Sequence, residues 1–184
     1  YVGNPFLQPA FTNSLELSYT YKNRITVGFT YGRVRDEVNE TIEIQNGTYY
    51  SRPGNLGSNT SISFTLDATW EPATWFRFHC YNEVSNIHTK SDFYTGKLDT
   101  RGTFWFVQPD VQFTLGKGWV VEASGVYNTD ITNAQFISGA NGRVNAGVQK
   151  TQDNMTFKLS LLDLFRSAVN KGIINNLANT EATY

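Results

Sequence analysis

One cysteine, one methionine and two histidines occur among 184 residues. The lone Cys80 has no internal partner, which excludes a small fold held by disulfides. A metal centre needs at least about three convergent ligands. Cys80, His79 and His88 form no recognised ligand spacing, so neither a metal nor a cofactor is expected. Charge is sparse as well. Fifteen Lys and Arg stand against sixteen Asp and Glu, for a formal net charge of −1, so the chain has no basic field of the kind that draws nucleic acid. The signatures of catalysis are missing too: there is no Gly-x-Ser-x-Gly elbow and no phosphate- or dinucleotide-binding glycine motif. The chain therefore reads as a non-enzyme.

No apolar run approaches the roughly 18 residues of a transmembrane helix. That leaves a membrane β-barrel open, because barrel strands alternate apolar with polar residues and have modest average hydropathy. The chain opens at Tyr1 with neither Met nor an apolar secretion signal, as expected of a processed form or a section of a longer protein.

What the sequence does have is aromatic residues, 15% of the chain, set in period-two alternation. Leu15, Leu17, Tyr19 and Tyr21 alternate with polar residues. After a break at Lys22-Asn23, Ile25, Val27, Phe29 and Tyr31 share one face, which predicts a β-hairpin. Ile62 to Trp70 alternate in the same way and turn at Glu71-Pro72-Ala73 into Trp75 to Glu83. Val107 to Leu115 return through Gly116-Lys117-Gly118, a turn that tolerates positive φ, into Trp119 to Tyr127. Val144 to Val148 return through Thr151 to Asn154 into Met155 to Leu161. Helical periodicity is nearly absent, so the fold class is all-β: an antiparallel up-and-down meander of about eight strands.

The whole chain reads as one segment. Residues 1–12 lead in, hairpins span about 13–33, 60–86, 103–128 and 139–163, and 164–184 form a terminal loop. Connections between hairpins, roughly Val34 to Thr60, Asn86 to Gly102 and Asn128 to Ser138, are long and rich in Asn, Asp, Thr, Ser and Gly, which predicts loops. Tight turns on one rim and long connections on the other match the asymmetry of outer-membrane barrels. Tyr21, Trp70, Trp75 and Trp119 would lie near the tight-turn rim, with Tyr31, Tyr81 and Tyr127 toward the other, as two membrane-interface girdles. The alternate face carries Glu16, Asp67, Arg77, Asp110, Glu122, Arg143 and Lys158. It would line an aqueous lumen in a barrel, and would be plain solvated surface in a soluble sheet.

Asn4-Pro5-Phe6-Leu7-Gln8-Pro9 followed by Phe11 to Tyr19, with Gly147-Val148-Gln149-Lys150 and Leu159 to Phe165 near the other end, resembles the TonB-dependent receptors and the Bacteroidetes-type barrel domains related to them. The resemblance implies a C-terminal section of a transmembrane barrel of about 22 strands in the bacterial outer membrane. It implies uptake of a large or scarce nutrient such as a siderophore, cobalamin or glycan. Outer-membrane lipid would be the surrounding partner, and the TonB system would act through an N-terminal part that this chain lacks. The competing expectation is a self-contained eight-stranded module that holds a small apolar ligand.

Overall fold

The computed structural model describes residues 4–45, 48–93, 96–174 and 182–183. Its main sheet has eight antiparallel strands in the order β1-β2-β3-β4-β5-β6-β9-β10. These are β1 Phe11–Tyr21, β2 Ile25–Gln45, β3 Thr48–Ala73, β4 Phe76–Phe93, β5 Gly96–Gly116, β6 Trp119–Asn128, β9 Asn141–Gln152 and β10 Met155–Leu161. The all-β meander expected from the alternation is the fold observed. β1 and β10 are its two edges, and they do not pair with each other.

Sequence accounts for the tight turns. Lys22, Asn23, Lys117 and Asp153 have φ between 49° and 54°, and Gly116 and Gly118 lie at +82° and +76°. Paired left-handed residues give the primed turns whose twist suits an antiparallel hairpin. At the second turn the expectation is corrected. β3 runs through Glu71-Pro72 to Ala73, which pairs with Phe76, so the reversal falls at Thr74-Trp75 and the register slips between Trp70 and Ala73. Pro72, which lacks an N–H, sits in that slip rather than at the turn itself.

The long connections are also corrected. Val34 to Thr60 is not an irregular loop: β2 and β3 remain paired from Ile25↔Ala68 out to Gln45↔Thr48. β4 and β5 likewise remain paired out to Phe93↔Gly96. Two hairpins therefore project as continuous ladders well past the other strands. Asn128 to Ser138 forms two short strands, β7 Ile131–Asn133 and β8 Phe136–Ser138, which join β11 Gly172–Ile174 and β12 Ala182–Thr183 in a second, four-stranded sheet. The expected terminal loop thus contains β11 and β12, while residues 175–181 and 184 of it fall outside the described residues, as do residues 1–3 of the lead-in.

Register assigns the faces. Tyr19, Val27, Leu66, Asn82, Val107, Tyr127 and Gly142 form one cross-strand row. Trp70, Phe78, Val111, Ala123, Ala146 and Leu161 form another. Both rows lie on a single, mostly apolar face that crosses all eight strands. Nothing described covers it: Leu17, Tyr19, Phe64, Trp70, Phe157 and Leu159 are each more than half exposed. The first row starts three residues from Lys22 and ends eleven residues from Asp153, so the tight turns step along the sheet. This stagger is what tilted barrel strands require.

Candidate functional site

The opposite face collects the polar residues. Glu16 lies on β1 opposite Thr30, Asp67 on β3 opposite Thr26 and Tyr81, and Asp110 on β5 opposite His79 and Ser124. Glu122 is opposite Gln112 and Gly147, Arg143 opposite Val126, and Lys158 opposite Gln149. Arg77, at the tight-turn end of β4, pairs with Glu71 at 3.3 Å. Seven charges named from alternation thus share one face.

Besides Arg77, three of them are brought into contact with a partner there. Asp67 accepts from or pairs with His79 Nε2 at 3.0 Å. Lys158 reaches from β10 across β9 to Glu122 on β6 at 2.6 Å. Gly147 makes this reach possible, since a Cβ there would lie 2.7 Å from Glu122 Oε1. Bridging two strands away in this manner means that side chains on this face converge, as they do on the inner wall of a curved sheet. Glu16, Asp110 and Arg143 make no ion pair among the described residues.

Tyr81 is a correction. Instead of facing outward in a girdle, it lies on the polar face, where its hydroxyl donates to Glu83 at 3.0 Å and Ser85 donates to the same carboxylate at 2.6 Å. Its parity with Arg77 and His79 already signalled this, as it did for Glu83, which sequence reasoning passed over. The remaining aromatics are placed on the apolar face or at its rim. Tyr21 is opposite Ile25, Trp70 opposite Phe78, and Trp75 lies in the second turn with its ring 6.3 Å from Phe113. Trp119 is opposite Lys150, whose ammonium sits 5.3 Å over its ring, and Lys22 sits 5.1 Å over Tyr21. Tyr31 is opposite Leu15 and Ile62, and Tyr127 meets Trp105 edge to face at 6.1 Å.

At the far end from the tight turns the polar face is capped. Thr132 of β7 packs against Gly102 of β5, where a Cβ would lie 2.6 Å from Thr132 Cβ. Thr100 donates to Ala134 O at 3.0 Å. Leu56 of the β2–β3 projection, Leu98 of the β4–β5 projection and Ala134 form a small buried cluster. Gln135, 1% exposed, accepts from Ile42 N at 3.0 Å and donates to Ile42 O at 3.2 Å. Its amide thereby takes the place of a neighbouring strand on β2 beyond the reach of β1. No local pattern could have announced this contact, which joins residues 93 apart in the chain.

On the β4–β5 projection His88 meets Asp99 at 2.7 Å and Lys90 lies 3.4 Å from the same carboxylate. The hydrogen bond from His88, followed by the charge of Lys90, holds the Asp99 carboxyl below the ordinary carboxylate value. Between the β7–β8 strap, Ile131 to Gly139, and the sheet lies a recess of about 600 Å³, lined among others by Asn128, Ile131, Ser138, Asn141, Arg143 and Lys171.

An open sheet with one uncovered apolar face, one polar and convergent face, and long ordered projections on a single rim is the arrangement a lipid-embedded barrel wall needs. No curated protein and no solved structure matches the chain. A family model described as the outer membrane protein beta-barrel family matches residues 1–184, and the chain belongs to that family, a family of the outer membrane.

Proposed function

We propose that this chain is a section of a transporter barrel of the TonB-dependent receptor kind, with outer-membrane lipid against its apolar face and a nutrient passing its polar one. The observation that carries this reading is the open sheet: β1 and β10 leave their outer ladders unpaired while the apolar face between them is uncovered. In hydrocarbon each unpaired backbone group costs several kcal/mol, so such a sheet must be continued by further strands. A wall wider than eight strands suits a large solute such as a siderophore, a cobalamin or a glycan, with the ordered projections contacting it first.

The alternative, a closed eight-stranded cup around a small apolar ligand, is disfavoured by the same sheet. Such a cup would turn its apolar side inward, whereas here the convergent face is the charged one. Uptake tests the proposal: cells lacking the gene should fail to accumulate one labelled chelate, cobalamin or oligosaccharide that wild-type cells accumulate only with TonB present. Unchanged accumulation of all three would refute the transport reading. In a Cys80→Ser background, cysteines at positions 17 and 159 should stay reduced in the membrane, because other strands separate β1 from β10. Ready formation of that disulfide would favour the closed cup.

A further inference from the structure

We infer that the recess beneath the strap is a binding site for a solute bearing an oxyanion, a carboxylate or a phosphate, and that Arg143 is its principal contact. This deepens the transporter reading and rests on the polar face being the aqueous side.

Three parts of the chain build the recess: β6 and β9 on the polar face, the strap at Ile131 to Gly139 that connects them, and the segment before β11. They are tied together around it. Gly139 N donates to Lys171 O at 2.8 Å, and Asn141 Nδ2 donates to Asn170 Oδ1 at 2.7 Å. The lining contains Arg143 and Lys171, three asparagines and no carboxylate. Neither cation makes an ion pair with any described residue. This sets them apart from Arg77, Lys90 and Lys158, each of which stands within 4 Å of a carboxylate.

Two cations line one recess with no carboxylate among its lining residues, and the neighbouring Asp130 carboxylate is engaged by Ala140 N at 2.6 Å, so the pair draws an anion from solution. Arg143 supplies a planar fork matched to two oxygens of a carboxylate or phosphate, and Lys171 supplies a compact second charge. The volume, about 600 Å³, falls in the usual range for small-molecule sites. Position adds a role, because the recess lies at the end of the polar face away from the tight turns, where a solute that has passed the projections would next meet ordered side chains.

The test is calorimetric titration of the full-length protein in lipid nanodiscs, with citrate and inorganic phosphate as separate arms and raffinose as a neutral control. Saturable binding is expected in at least one anion arm and none with raffinose, and the responding arm identifies the oxyanion. Arg143→Gln should weaken binding about tenfold or more, the loss of one charge-assisted contact. Arg143→Lys should retain part of it, and Lys171→Gln should weaken it by a smaller factor. Lys90→Gln, on the β4–β5 projection, should leave it unchanged. Absence of saturable anion binding, or equal binding by wild type, Arg143→Gln and Lys171→Gln, would overturn the inference. A protein that binds citrate yet supports no nutrient uptake would instead fail the transport reading alone.

Discussion

The half of the sheet near the tight turns and the half that projects beyond it are built from the same ladder and obey opposite rules. Near the turns large apolar residues point outward and stay uncovered, as Leu17, Phe64 and Leu159 do. In the projecting half, Leu56 and Leu98 are buried against Ala134, and Ile174 is buried on the adjoining small sheet. These four are the buried hydrophobic residues among those described. One polypeptide thus hides apolar surface within itself where water surrounds it and displays apolar surface where the bilayer surrounds it. Backbone pairing is indifferent to which solvent wins. Side-chain choice is not.

That contrast can be broken deliberately. The largest effect is expected from Phe64→Arg in the middle of the outward face, which should destabilise the folded state in bilayers by about 2–4 kcal/mol. Val38→Arg, also exposed but on the projection, should fall within about 0.5 kcal/mol of wild type. Equilibrium unfolding in lipid vesicles reads both, and equal costs at the two sites would abolish the distinction. A smaller and local effect is expected from Gln135→Ala, which removes both bonds to the Ile42 backbone and should weaken the cap by about 1–3 kcal/mol. Hydrogen exchange should quicken at Ile42 and Ala134 while amides of β1 and β9 keep their protection.

The subtlest effect concerns pH. Because the folded state holds the Asp99 carboxyl below its ordinary value of 3.8, its contribution is complete above that value and is lost as pH falls through the lower folded value. Exchange on the β4–β5 projection should therefore rise at strongly acidic pH. Asp99→Asn should flatten that rise without altering the membrane-level strands, and an identical profile in the variant would remove Asp99 from the explanation. The solvent exposure of this side chain keeps the effect small.

What could be read in advance followed from locality. Period two and the residues of the tight turns placed four hairpins, because both signals act within about ten residues. The same parity placed Glu16, Asp67, Arg77, Glu122, Arg143 and Lys158 on one face. The projections were missed because Pro53, Gly54 and Asn55 read as loop formers, although they pair in register with Glu40, Asn39 and Val38. There the ladder is held by the partner strand, whose alternating Val38 and Ile42 carry the β preference. The recess and the cap were hidden for a different reason. Arg143, Lys171, Gln135 and Ile42 meet only after every intervening strand has taken its place.

The segment that follows β10 sets a limit on growth. Beyond Leu161 the chain leaves the extended path, with Asp163 and Arg166 in left-handed conformation, yet it still clings to the preceding strand. Leu164 N donates to Val144 O at 2.9 Å, and Ser167 Oγ donates to Gly142 O at 2.8 Å. A newcomer docking along this flank finds only seven residues of straight rail before the track curls away, about 23 Å at strand spacing. The opposite flank offers eleven. The two borders of the wall therefore accept neighbours of different height, and a copy of either flank cannot substitute for the other.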